Sequence, residues 1–190
     1  MSDPRADRRA FLGALVGSSA ALAGLTWSDV AASWQAAAPQ REAAHPGFTS
    51  FTRAEAAELE AMAECILPGG ERPGARQAGV IHFMDHWFAQ QGKGAVADVR
   101  KGIAALGAAA RRRKPGVRGF AQLAEADQVA VLEGIEKDAP AFFGGVRFAT
   151  LLGMFSDPGH GGNRDKAGWT LLGFEDGYAW SAPYGAYDRG

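Results

Sequence analysis

Beyond residue 52 the apolar positions fall three and four apart, the period of helices that bury one face. Leu59, Met62 and Ile66 form the first stripe. Thr52 followed by Glu55 is a capping-box pattern that starts it, and Pro68 with Gly69 stops it. Val80, Phe83, Met84, Trp87 and Phe88 predict a second helix that ends before Gly92. Val96, Val99, Ile103, Leu106 and Ala110 predict a third, and Val129, Leu132 and Ile135 a fourth that begins in the acidic turn Glu125 to Asp127. Phe142, Phe143, Val146, Thr150, Leu151 and Met154 predict a fifth behind Pro140. No stretch alternates apolar and polar residues with β-branched enrichment. The pattern therefore predicts an all-α domain, a small bundle of about five helices.

The periodicity fails at both ends. Residues 156–168 are rich in glycine, and residues 169–190 hold Phe174, Tyr178, Trp180, Tyr184 and Tyr187 with little period, so a long irregular, aromatic C-terminal segment is expected. The helical domain is placed at 52–174, an aromatic tail at 175–190, and a polar, proline-interrupted linker at 39–51. Residues 1–38 have the three-part layout of an export signal: Arg5, Arg8 and Arg9, then a mild apolar stretch from Phe11 to Leu25, then an alanine-rich region ending in Ala36, Ala37 and Ala38. The apolar stretch is shorter than the roughly 20 residues of a membrane span and is diluted by Gly13, Gly17 and Gly24. Arg8 and Arg9 followed by Phe11 and Leu12 resemble the twin-arginine pattern, which exports proteins already folded. This predicts engagement of the twin-arginine translocase and a periplasmic destination. Cleavage is expected after Ala38 or after Ala32, because Pro39 is a poor residue directly behind a scissile bond.

Charge narrows the choice of partners. Lys+Arg number 20 against 21 Asp+Glu, a formal net charge of -1, so no overall field recruits nucleic acid. The dense basic run Arg111 to Lys114 ends the third helical pattern, where cations complement the helix dipole. Cys65 is the only cysteine; it excludes an internal disulfide and a cysteine-based haem or zinc site, and reads as a small buried hydrophobe. His82 and His86 lie one helical turn apart and supply two metal ligands, which do not close a site. Gly159 to Gly162 lacks the Lys-Ser/Thr of a phosphate loop, and no nucleophile motif is present. No catalytic, cofactor-binding or metal residue is therefore assigned in this chain.

Several short runs resemble one known family. They are Thr52-Arg53-Ala54-Glu55, Ala63 to Pro68, Pro73-Gly74-Ala75 with Ala78-Gly79-Val80, Phe155 to Pro158, and Gly161-Gly162-Asn163-Arg164-Asp165 ahead of Gly168-Trp169. Together they are similar to the gluconate 2-dehydrogenase subunit 3 family over roughly Thr52 to Phe174. The resemblance implies a small, non-catalytic subunit without a cofactor. Its partners would be a large FAD-dependent dehydrogenase of the glucose-methanol-choline type and a multihaem cytochrome c carrying haem c. It also implies an escort role, since flavin is loaded in the cytoplasm and the loaded enzyme must cross folded. Within that reading Gly161, Gly162, Asn163, Arg164, Asp165 and Trp169 are the candidate partner interface; the competing reading of the same residues is a self-contained turn. Two other functions fit the residues: an independent periplasmic protein whose aromatic tail lines a carbohydrate or other ligand site, and a metal-dependent enzyme using His82 and His86.

Overall fold

The first helix begins where its cap dictates. The computed structural model describes residues 47–158 and 163–174. Helix α1 runs Arg53–Ile66. The Thr52 hydroxyl accepts the Glu55 N–H at 3.2 Å, and the Glu55 carboxylate accepts the Thr52 N–H at 2.8 Å. A cap of this kind stabilises a helix by about 1 kcal/mol. Behind α1 the chain reverses through residues 67–79. The Glu64 carboxylate holds that loop by accepting the N–H groups of Gly69 (2.8 Å) and Arg76 (2.9 Å).

Helix α2, Val80–Gln90, is buried over nearly its whole circumference. Its many apolar residues drive that burial, and the polar His82 and Asp85 are carried into the core with them. It packs on α1, on α3 (Lys93–Arg113) and most extensively on α5 (Pro140–Phe155). Proline at the first position of α5 costs nothing there, because that N–H has no helical partner. A 3-10 turn at Phe120–Gln122 inserts Phe120 fully into the core, and Glu58 of α1 accepts the Phe120 N–H at 2.7 Å. Helix α4, Glu125–Asp138, then packs on α1, α3 and α5. The basic run does end α3, and Arg113 there reaches Asp127 at the start of α4 (2.7 Å).

The all-α expectation holds: the described residues contain six α-helices and no strand. Three details differ from the sequence reading. Val129 is 46% exposed, and Val131 takes the buried position beside Leu132 and Ile135. The buried stripe passes between Val129 and its neighbours because each residue turns the helix by about 100°. The sixth helix, α6 (Ala167–Leu172), is too short for a hydrophobic period to form in its sequence. The linker reading over 39–51 reaches described residues at Gly47. There Phe51 is buried in the core and Phe48 packs against it, so the last residues before Thr52 belong to the folded body.

Candidate functional site

The segment that follows α5 is built around one asparagine. Asn163 is wholly buried (0% exposed) and adopts a left-handed conformation, φ 55°. Asparagine tolerates that conformation better than most residues. Its backbone N–H donates to the Gly153 carbonyl at 2.8 Å, and its side-chain amide donates to the Ser156 carbonyl at 3.0 Å. Its side-chain oxygen accepts the Gly168 N–H at 2.6 Å. One side chain thus satisfies the frayed end of α5 and the first turn of α6 together. Next to it, the Arg164 N–H donates to the Ala78 carbonyl at 3.2 Å, tying the turn to the loop ahead of α2.

Gly168 is required by space. A Cβ there would lie 2.0 Å from the Met154 carbonyl oxygen, so α6 crosses α5 with backbone almost touching backbone. Asp165 and Lys166 are also left-handed, at φ 55° and 57°. Such residues cost roughly 1–2 kcal/mol each and persist only where surrounding contacts fix them. The Asn163 bonds on one side and the Gly168 crossing on the other supply that constraint.

This turn leads directly into α6, whose first residues pack on α5 and whose end is exposed. Trp169 is half-buried, with its indole N–H directed at the Phe155 carbonyl (3.4 Å) and its ring edge-on to Phe174 (5.2 Å, 69°). Leu172 is 65% exposed and Phe174 56% exposed. Large apolar side chains grouped in water mark contact surfaces, whereas single ones do not. Trp169 and Phe174 therefore form an aromatic pair at the exposed end of α6, and Leu172, the last residue of that helix, is a third large apolar side chain in water within the same six residues.

The predicted interface residues have separate parts in this arrangement. Asn163 holds the turn from inside and brings no side chain to the surface; Arg164 is half-exposed, and Asp165 is exposed. Gly161 and Gly162 lie outside the described residues, as do the export-signal residues Arg8, Arg9, Phe11 and Leu12 and the tail 175–190.

The histidine pair has a different setting. His82 is buried and stacks on Phe48 at 5.3 Å. His86 is half-buried with its Nε2 lacking a hydrogen-bond partner, and burial pushes its pKa below the usual histidine range, against an opposing pull from Asp85. Asp85, between them, spends its carboxylate on the backbone of residues 49–51. Among the described residues no group of three or more His, Cys, Asp or Glu is placed to hold a metal ion. Cys65 is partly buried and its thiol donates to Gln128 Oε1 at 3.3 Å. Burial, and secondarily Glu125 and Glu64, push its pKa up, which disfavours the reactive thiolate. No helix of the described residues is long and apolar enough to cross a membrane.

Asp85 and the exposed pair Leu172 and Phe174 carry parts that the hydrophobic pattern does not assign. The signal for Asp85 was an acid among the apolar residues Val80, Ile81, Phe83, Met84, Trp87 and Phe88, since a charge buried there must be hydrogen-bonded.

A family model described as gluconate 2-dehydrogenase subunit 3 matches residues 53–177. Neither a curated protein nor a solved structure matches the chain.

Proposed function

Because the chain belongs to the gluconate 2-dehydrogenase subunit 3 family, one subunit of a multi-subunit dehydrogenase, we propose that it is the small, non-catalytic subunit of a periplasmic sugar or sugar-acid dehydrogenase. In this reading its large partner is an FAD-dependent enzyme of the glucose-methanol-choline type, and a multihaem cytochrome c accepts the electrons. The flavin and haem belong to those chains. This chain contributes the twin-arginine signal and a docking surface, and so escorts the folded, flavin-loaded partner out of the cytoplasm.

One observation carries the reading. The domain closes its own core, yet carries Trp169, Leu172 and Phe174 within six residues, behind a turn whose left-handed residues are tied down by Asn163. Strain retained beside an exposed apolar face is a feature of recognition sites. The twin-arginine pattern supplies the second half of the argument, since only a folded cargo needs that route.

The test is co-expression with a flavoprotein dehydrogenase that lacks an export signal of its own. Replacing Arg8 and Arg9 together by Lys is expected to leave dehydrogenase activity in the cytoplasmic fraction and to empty the periplasmic one. Periplasmic activity equal to that of the unaltered chain would end the escort reading. A chain that is a soluble monomer on its own and binds a carbohydrate would favour an independent binding protein.

A further inference from the structure

Asp85 is a completely buried carboxylate (0% exposed) in the centre of the most enclosed helix of the bundle. Such a group is tolerated only where hydrogen bonds replace its water. It accepts the N–H groups of Thr49 (2.6 Å), Ser50 (2.9 Å) and Phe51 (3.0 Å) and the Thr49 hydroxyl (2.6 Å). Three successive backbone N–H groups thus converge on one carboxylate.

These three residues and Phe48 are held from other sides as well. Arg100 of α3 donates to the Ser50 carbonyl at 2.6 Å and pairs with Glu55 of α1 at 2.9 Å. Phe51 meets Phe88 edge-on at 6.2 Å, and Phe48 lies on the His82 ring. No single helix supplies the whole set. Residues 48–51 are gripped by α2 and α3 directly and by α1 through Glu55, so the grip exists only once those helices have assembled.

We propose that residues 48–51 are a fold-dependent latch, which fixes the chain's exit point on the finished core and thereby couples presentation of the export segment to completion of the fold. The coupling rests on the export reading of residues 1–38; the latch itself does not. Before α1 to α3 assemble, the segment ahead of Thr52 is continuous with an unordered chain. Afterwards residues 48–51 are held on the core, with Phe48 against the His82 ring. A transport route that accepts folded cargo gains a physical link between signal and fold from this arrangement.

Two measurements on the full chain test the proposal. The first is amide hydrogen exchange at Thr49, Ser50 and Phe51 in Asp85→Asn, Thr49→Val and Arg100→Met. The Asn amide turns one acceptor edge of residue 85 into a donor facing N–H groups. Thr49→Val removes the hydroxyl donor and Arg100→Met the carbonyl clamp, both at sites where the core is left intact. Exchange at the three amides is expected to rise about tenfold or more while Leu59 and Leu106 stay protected. Exchange that stays unchanged in Thr49→Val and Arg100→Met, or that rises only together with the core, overturns the latch.

The second measurement is the exported fraction of the same variants in cells, beside Arg8→Lys with Arg9→Lys. A loss of about threefold or more in variants that keep full helicity supports the coupling. Unchanged export despite faster exchange overturns the coupling. Unchanged export in the double lysine variant overturns the export reading and the coupling with it, and exchange alone then decides the latch.

Discussion

At the scale of single residues, four polar side chains hold the irregular parts of this domain. Glu58, Glu64 and Asp85 each accept backbone N–H groups from a different segment outside the α-helices, and Asn163 bridges two segments with its amide. Loops need such partners because their N–H groups have no ladder to join. Asn163 carries two demands at once, a left-handed backbone and two buried hydrogen bonds, and they separate by mutation. Asn163→Gly keeps the backbone freedom and loses the amide; Asn163→Ala loses both. Each buried group left unpaired costs about 1–3 kcal/mol, and a left-handed alanine adds about 1 kcal/mol. Denaturant unfolding should therefore rank the native chain above Asn163→Gly, and Asn163→Ala lowest. A glycine variant as stable as the native chain would show that the amide contributes nothing.

Among the elements, what was legible in the sequence follows from whether the cause is local. The start of α1 is written in Thr52 and Glu55, and its end in Pro68, so both were readable. Helix α2 showed its apolar stripe in Val80, Phe83, Met84, Trp87 and Phe88, but nothing local said that His82 and Asp85 would be buried too, or that Asp85 would be answered by residues 49–51, over thirty positions away. Helix α6 was hidden because its six residues are ordered by Asn163 and by the crossing at Gly168, both tertiary contacts. The α3–α5 contact has the same character. Gly102 lies mid-helix, where glycine is intrinsically unfavourable, and a Cβ there would fall 2.1 Å from the Phe142 ring. Gly102 is thus the hole into which Phe142 fits. Gly102→Ala should destabilise by about 1–3 kcal/mol through overpacking, despite its better helix propensity. Adding Phe142→Ala should cost less in that background than alone, because the two sites share one space. Additive losses in a double-mutant cycle would refute the shared-space account.

Across the whole molecule, the core closes on itself and the surface carries one grouped apolar exception among the described residues. Val129, on α4, is a single exposed side chain of the kind every protein has; Leu172 ends α6 and Phe174 follows it edge-on to Trp169, close behind the Asn163 turn. Two substitutions distinguish a working surface from incidental exposure. Leu172→Ser with Phe174→Ser should leave the unfolding free energy of the isolated chain within about 0.5 kcal/mol, because exposed positions contribute little to folding. The same pair should weaken association with a co-expressed dehydrogenase subunit by about tenfold or more, since central apolar anchors carry most of the energy of a contact. Val129→Ser is the matched control, with similar chemistry away from α6, and should leave association unchanged. Were Val129→Ser to weaken the complex while the double variant did not, the docking face would be α4, and the strained turn at residues 163–166 would be a structural closure of the bundle with no part in recognition.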